Sequence, residues 1–339
     1  MIIRTKAYPR VGLIGNPSDG YFGRTIGFAF TNFCAEVILY ESPELEILPS
    51  QKDQSVFGSV AALVRDVELH GYYGGIRLLK ATVKRFCDYC RDNQIELHDK
   101  NFTLRYRTDI PHGVGLAGSS AIITACLRAL MTFYGVAIPK PMQAALVLSA
   151  EKDELRISAG LQDRVIQVYE GLVYMDFDKV LMEKQGHGLY EPMDPGLLPR
   201  LYVAYADDFS EPTEVFHNDV RARFELGDSK VHAAMRFWAN LTRRARRCIE
   251  KRQTEALGKL LNANFDRRRR IYRLNPHHVQ MVETARRIGA SAKFTGSGGA
   301  IVGIYENEKM FRALRQELAR IGAKTIKPRV ARPDQRGPS

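Results

Sequence analysis

Apolar and polar positions follow two rhythms along this chain, and the change of rhythm divides it. In the first half, alternation and short apolar runs predict strands at Phe28–Leu39, Glu44–Leu48, Phe102–Thr108 and Gly171–Phe177, with a short strand and turn within residues 4–15. Apolar residues recurring at three- and four-residue spacing predict helices at Val60–Leu69, Gly75–Asn93, Ile122–Tyr134 and Pro141–Lys152. Ser158–Tyr169 reads as a loop running into a helix. The second half is mostly helical in pattern, over Asp228–Lys251, Thr254–Arg273, Val279–Gly289 and Lys309–Ile321. A buried strand is expected at Leu201–Tyr205, and a glycine-rich turn feeding a strand at Ser291–Tyr305. Turn residues crowd Asn16–Gly23, and the proline-rich Pro192–Pro199 reads as a linker. The expected division is therefore 1–195 and 196–328, followed by a polar, frayed tail at 329–339.

At 339 residues the chain is long enough for two cored domains, and 45% hydrophobic residues is ordinary for a globular protein. The start, Met1-Ile-Ile-Arg-Thr-Lys6, lacks an apolar leader core and a small-residue cleavage site, and the apolar stretch Leu116–Ile138 is broken by Arg128 and Gly135. A cytoplasmic protein without a membrane partner is the expectation. Five scattered cysteines make a disulfide framework improbable, and Cys87-Asp-Tyr-Cys90 sits in an amphipathic run with no second ligand pair. The net charge of +12 steers anions, which suits a nucleotide, an acidic substrate or nucleic acid alike.

Chemistry concentrates in Pro111-His-Gly-Val-Gly-Leu-Ala-Gly-Ser-Ser-Ala121, which lies between a strand and a helix. Its glycines let main-chain N–H groups converge, and a helix N-terminus adds unpaired donors and partial positive charge, so the loop is suited to phosphate. Ser119 and Ser120 are candidate caps, and one hydroxyl is a candidate Mg²⁺ ligand. It is not a Walker A loop, because no Gly-Lys-Ser/Thr closes it. Taken alone it reads equally as a tight turn with a serine cap.

The loop resembles the second motif of the GHMP kinases. Pro9-Arg-Val-Gly-Leu-Ile-Gly-Asn-Pro-Ser-Asp19 is similar to their first motif, with Asn16-Pro17 in place of the Glu-His pair of galactokinases, and Lys293-Phe-Thr-Gly-Ser-Gly-Gly-Ala300 to their last. Glu151 and Asp163 match the family's Glu-x11-Asp spacing. The resemblance implies an α+β, two-domain fold. Its N-terminal α/β domain is ribosomal-S5-domain-2-like with a left-handed crossover, and its C-terminal domain is ferredoxin-like. It implies that Pro111, Gly113, Gly115, Leu116, Ala117, Gly118, Ser119, Ser120 and Ala121 hold ATP, and that Ser120 and Glu151 hold Mg²⁺. Asp163 then faces the acceptor hydroxyl, Arg10 lies near the reacting oxygen, and Asp19 bonds a substrate hydroxyl near Asn16. Gly296, Ser297 and Gly298 lie against the active site. The division suits the chemistry: Mg²⁺ takes hard oxygen ligands, and in-line phosphoryl transfer needs charge neutralised and a nucleophile oriented.

Gly160–Phe177, Gly12–Asp19, Asn264–Arg268 and Lys293–Ala300 further resemble the plant-type glucuronokinases, which implies a sugar 1-kinase making glucuronate 1-phosphate from D-glucuronate and ATP. A uronate kinase needs a cation for the carboxylate, and arginine's fork fits one. Arg164 and the run Arg267-Arg-Arg-Arg270 are the candidates, although four successive helix positions cannot all face one site. Another sugar of the galacturonate, galactose, arabinose or heptose type is the alternative. Nucleic-acid binding by Thr242–Arg247 and the Arg267 run lacks a recognised motif, and a catalytically silent sensor has no positive support. Oligomeric state is not readable.

Overall fold

The computed structural model describes residues 1–50, 53, 59, 74–206 and 214–332. In chain order the elements are β1 (Ile2–Ala7), β2 (Arg10–Ile14), a 3-10 turn (Ser18–Tyr21), β3 (Arg24–Ala29), β4 (Ala35–Glu41), β5 (Glu46–Leu48), α1 (Gly75–Asp92), β6 (Phe102–Thr108), α2 (Gly118–Tyr134) and α3 (Lys140–Ser149). There follow α4 (Leu161–Tyr169), β7 (Leu172–Asp176), α5 (Lys179–Gln185), β8 (Leu189–Met193) and β9 (Leu201–Tyr205). The rest are α6 (Glu214–Glu225), α7 (Ser229–Glu250), α8 (Thr254–Ile271), α9 (Pro276–Arg287), β10 (Lys293–Phe294), β11 (Ala300–Ile304), α10 (Glu308–Ala319) and β12 (Lys324–Ile326). The helix expected at Val60–Leu69 lies outside the described residues.

The described residues form three four-stranded sheets, in the orders β1-β4-β6-β5, β2-β3-β7-β8 and β10-β11-β9-β12. All neighbours run antiparallel except β5 and β6. The single strand expected over Phe28–Leu39 is two strands in two sheets. The polar pair Thr31-Asn32 marks where the chain leaves one sheet for the other, inside a run whose apolar residues serve both cores. The linker expected at Pro192 is instead the end of β8, where Val173 pairs with Pro192. β8 is an edge strand, which tolerates a residue without an N–H. Nor is the start of the tail frayed: Thr31 N–H donates to Arg329 O (2.8 Å), and Ala331 N–H to Ala29 O (2.8 Å).

Helix α2 is apolar almost all round and therefore buried, packed on β1, β4, α1 and α4. Cys87 and Cys90 lie on α1, one exposed and one buried. Helix α7 crosses back from the second half to lie on β3. Its Thr242 hydroxyl donates to Arg24 O (2.8 Å), and the wholly buried Trp238 donates its indole N–H to Asn264 O (3.1 Å). One apolar cluster runs from Ile3 in β1 to Ile304 in β11, so both halves share buried side chains. The end of β2, the starts of α2 and α4, and the β10–β11 turn converge on one cavity. No helix among the described residues is long and apolar enough to cross a membrane.

Candidate active site

The glycine-rich loop and the late glycine turn meet backbone to backbone. Gly115 has φ 71°, and a Cβ there would overlap the carbonyl oxygen of Gly298, so only glycine fits both the conformation and the space. The Gly115 carbonyl accepts from Arg10 Nη1 (2.6 Å) and the Thr295 hydroxyl (3.2 Å), while Gly12 N–H donates to Thr295 O (2.9 Å). Three motifs far apart in sequence are thus one hydrogen-bonded unit. Ala117, at φ 61°, occupies the N-cap position of α2, and no side chain caps the helix. The expected serine caps are therefore corrected. The helix begins at Gly118, so both serines lie inside its first turn, and Ser120 Oγ donates back to Ala117 O (3.2 Å). A first turn left without a side-chain cap, behind a glycine loop, is what an incoming phosphate needs.

Asp163 stands in the first turn of α4 and faces β2. Arg10 grips it with both prongs, Nε to Oδ1 at 2.5 Å and Nη2 to Oδ2 at 2.6 Å. Burial would raise Asp163, but the charge and bonds of Arg10, with Arg164 nearby, hold it below the usual carboxylate range. Asp19 differs. Burial and the neighbouring Asp163 charge push it up to about 6.

Glu151 and Arg164 form a second buried pair. Arg164 Nε donates to Glu151 Oε2 at 2.6 Å, and its Nη2 bonds the same oxygen. Its Nη1 donates to Gly160 O at 2.8 Å. The expectation that Arg164 binds a substrate carboxylate is therefore corrected: its fork is already closed on Glu151. Burial pushes the Glu151 carboxyl up against the pull of Arg164. Both bonds land on Oε2, leaving Oε1 outside the pair, and neither Glu151 nor Ser120 lines the cavity. Among the described residues no group of three or more acids, histidines and cysteines is arranged to hold a metal. A carboxylate and a hydroxyl are the hard oxygen donors that Mg²⁺ takes, and here Glu151 is turned to Arg164 and Ser120 to Ala117 O.

The cavity has a volume of about 290 Å³. From the loop only Gly115 and Ala117 reach its wall; the wall also carries Asn16, Asp19, Gly296, Ser297 and Arg268. Of the arginine run only Arg268 turns inward. It is buried between the rings of Tyr272 and Phe294, its centre 5.1 Å and 5.7 Å from theirs, and donates to Gly296 O (2.8 Å) and Ser297 O (3.4 Å). Arg267 is corrected: it lies over the Phe237 ring at 4.6 Å and does not line the cavity. Asn16 serves the scaffold as well as the wall. Its Oδ1 accepts from Lys293 Nζ (2.7 Å) and its main-chain oxygen from Asn264 Nδ2 (3.1 Å).

Three features escaped the sequence reading. Gln162, beside Asp163, lines the cavity with a buried Oε1 that takes no hydrogen bond among the described residues. Arg221 reaches the cavity from α6. Lys293, quoted as a motif letter, is wholly buried and donates to Gly12 O (2.5 Å) and Asn16 Oδ1. Burial, then repulsion from Arg268 and Arg10, lowers it well below the ordinary lysine range. Its local signal was an isolated lysine entering an apolar strand.

The chain is similar to known proteins over most of its length. Residues 77–171 match the model of the GHMP kinases N terminal domain, and residues 245–324 that of the GHMP kinases C terminal. The chain is 45% identical over 333 residues to glucuronokinase 1 of Arabidopsis thaliana, covering 96% of this chain and 91% of that protein. It is 48% identical over 308 residues to the probable glucuronokinase 2 of the same plant, covering 89% and 84%. Among solved structures it superposes on Lactococcus lactis galactokinase in complex with galactose with a TM-score of 0.76 at 16% identity, covering 97% of this chain and 93% of that one. Methanococcus jannaschii mevalonate kinase gives 0.72 at 21% identity, covering 98% of each.

Proposed function

The chain belongs to the GHMP kinases, with its full-length similarity to their glucuronokinase members, and we propose that it transfers the γ-phosphoryl group of ATP to the anomeric hydroxyl of D-glucuronate, giving glucuronate 1-phosphate and ADP. The observation that carries this reading is the 45% identity spread over 91% of glucuronokinase 1. The charge left over in the cavity supports an acidic substrate. Arg10 is matched by Asp163 and Arg164 by Glu151, and Arg268 and Arg221 then outnumber Asp19.

Residues 1–195 carry the phosphate loop and the acids, and residues 196–328 carry the late glycine turn and Arg268. The main-chain N–H groups of Gly115 to Ser120 hold the nucleotide phosphates at the start of α2. Glu151, if it opened from Arg164, and Ser120, if its hydroxyl turned from Ala117 O, would hold a Mg²⁺, which would supply charge neutralisation for the transferring phosphoryl group. Asp163 accepts a hydrogen bond from the anomeric hydroxyl and aligns its oxygen for in-line attack. The new O–P bond forms as the bond to the ADP oxygen breaks, with no phosphoenzyme, and the hydroxyl proton leaves to a phosphoryl oxygen or to water. Both oxygens of Asp163 are held by Arg10, which makes it a poor base and a good positioner. An anomeric hydroxyl is more acidic than an ordinary alcohol and needs less help. Arg10, fixed between Asp163 and the Gly115 carbonyl, sets the distance between acceptor and phosphate loop. Asp19 bonds a sugar hydroxyl.

The test is ADP release with Mg-ATP against glucuronate, galacturonate, glucose, galactose, arabinose and mevalonate. Turnover led by glucuronate is expected. Turnover led by a neutral sugar refutes the uronate assignment and leaves the kinase.

A further inference from the structure

The cations of the cavity are not equally available. Arg10 and Arg164 are each closed on a carboxylate. Arg268 is fixed below the cavity: its two Nη atoms donate into the glycine turn, and its buried Nε has no hydrogen-bond partner among the described residues. Its charge reaches the cavity while most of its fork does not.

Arg221 is different. It projects from α6 onto the 3-10 turn that carries Asp19 and Tyr21, exposed at the lip. One Nη2 hydrogen goes to Gly20 O (3.2 Å), and the guanidinium lies over the Tyr21 ring, 5.1 Å from its centroid. Its remaining contact is Glu225 on the same helix at 3.8 Å, with both side chains more than half exposed. That separation is too long for a hydrogen bond, and such surface pairs contribute little. Among the described residues, then, Arg221 is a cation held in place by a ring and one carbonyl, with the rest of its planar fork unclaimed. It hangs beside Asp19, at the sugar side of the cavity, and not from the phosphate loop. We propose that Arg221 is the specificity residue that reads the C5 carboxylate of the substrate, closing on it from the lip while Arg268 supplies fixed positive charge from below. This rests on the uronate reading given above.

The experiment compares wild type with Arg221→Gln and Arg221→Lys, measuring KM and kcat for glucuronate, for its neutral amide glucuronamide, and for ATP, at low and high salt. A charge-assisted contact predicts a glucuronate KM raised about 10- to 100-fold in Arg221→Gln. The glucuronamide and ATP values should stay within about threefold. Lysine keeps the charge without the fork, so Arg221→Lys recovers part of the loss. Because Arg221 is exposed, salt should raise the glucuronate KM of wild type and have little effect on Arg221→Gln. If wild type prefers glucuronate and Arg221→Gln keeps its KM, Arg221 is wrong and the kinase assignment stands. Equal losses on glucuronate and glucuronamide mean that Arg221 only props the turn, and a raised ATP KM means that it serves a phosphate; either overturns the proposal. If wild type itself prefers neutral sugars, the uronate reading fails and takes this one with it.

Discussion

The Arg10–Asp163 pair is where two motifs are mechanically joined, so breaking it should affect stability and rate in a linked way. Consider Arg10→Met, Asp163→Asn and the double variant. Two charge-assisted bonds of 2.5 and 2.6 Å, each with a net worth of about 1.5–3 kcal/mol, give about 3–6 kcal/mol for a fully buried pair. The Asp163 side chain is 18% exposed and that of Arg10 only 6%, so solvent screening reduces this to a coupling of about 2–4 kcal/mol. Arg10→Met also loses the bond to Gly115 O and leaves Asp163 to the longer Arg164 contact (3.3 Å), so it should be the worse single variant. Urea unfolding at pH 7 of all four proteins gives the coupling directly. The pair also sets a sign with pH. Asp163 is held below its ordinary value, so its stabilisation is complete above the unfolded pKa of about 3.9 and is lost as pH falls through the lower folded value. The Asp163 contribution should therefore be constant above about pH 5, and any change of the cycle near pH 6 comes from Asp19, which the Asp163 charge helps to raise. In kcat, residues acting as one unit are not additive, so the double variant should be no slower than the worse single one. A coupling below about 0.5 kcal/mol, typical of an exposed pair, would refute the reasoning. So would kcat losses that multiply.

Asp19 has its carboxyl raised to about 6, so kcat/KM should fall on the acid side with an apparent pKa near 6, and Asp19→Asn should remove that limb. An acid raised on folding penalises stability above its folded pKa and not below its unfolded one. Asp19→Asn should therefore raise the melting temperature at pH 8 and hardly change it at pH 4, read by calorimetry. Gly115→Ala forces a Cβ onto Gly298 O at φ 71°, and should cost at least about tenfold in kcat/KM. Gly135→Ala, also at positive φ (66°) but with open space around it, should lose only about 1–2 kcal/mol of stability and keep its activity. Arg267→Ala should keep wild-type sugar KM, since Arg267 lies on Phe237, whereas Arg268→Gln should raise it.

What could be read from the sequence, and what could not, follows from how local each cause is. The loop from Gly113 to Ala117 was legible because its requirements sit within a few residues, glycine where backbone must approach backbone and a helix starting at once afterwards, whereas the serines it offered as caps lie inside that helix. The long helices were legible because one apolar stripe repeats. The switch between β3 and β4 was hidden because an apolar run does not record which of two cores each residue enters. Charges were the least legible. Arg164 and Arg268 are both arginines beside motif residues, and nothing near either says that the first is closed on Glu151, thirteen positions back, while the second turns under the late glycine loop. Arg267 and Arg268 are adjacent, yet the 100° step of a helix sends one to Phe237 and the other to the cavity. Arg221 lies on a helix with no strong pattern, brought to the cavity by tertiary packing alone. The residue types that make a phosphate site are thus written locally. Which cation meets which anion is decided only when both halves of the chain share one core, and so the pairing of the arginines is the part of the site that needed three dimensions.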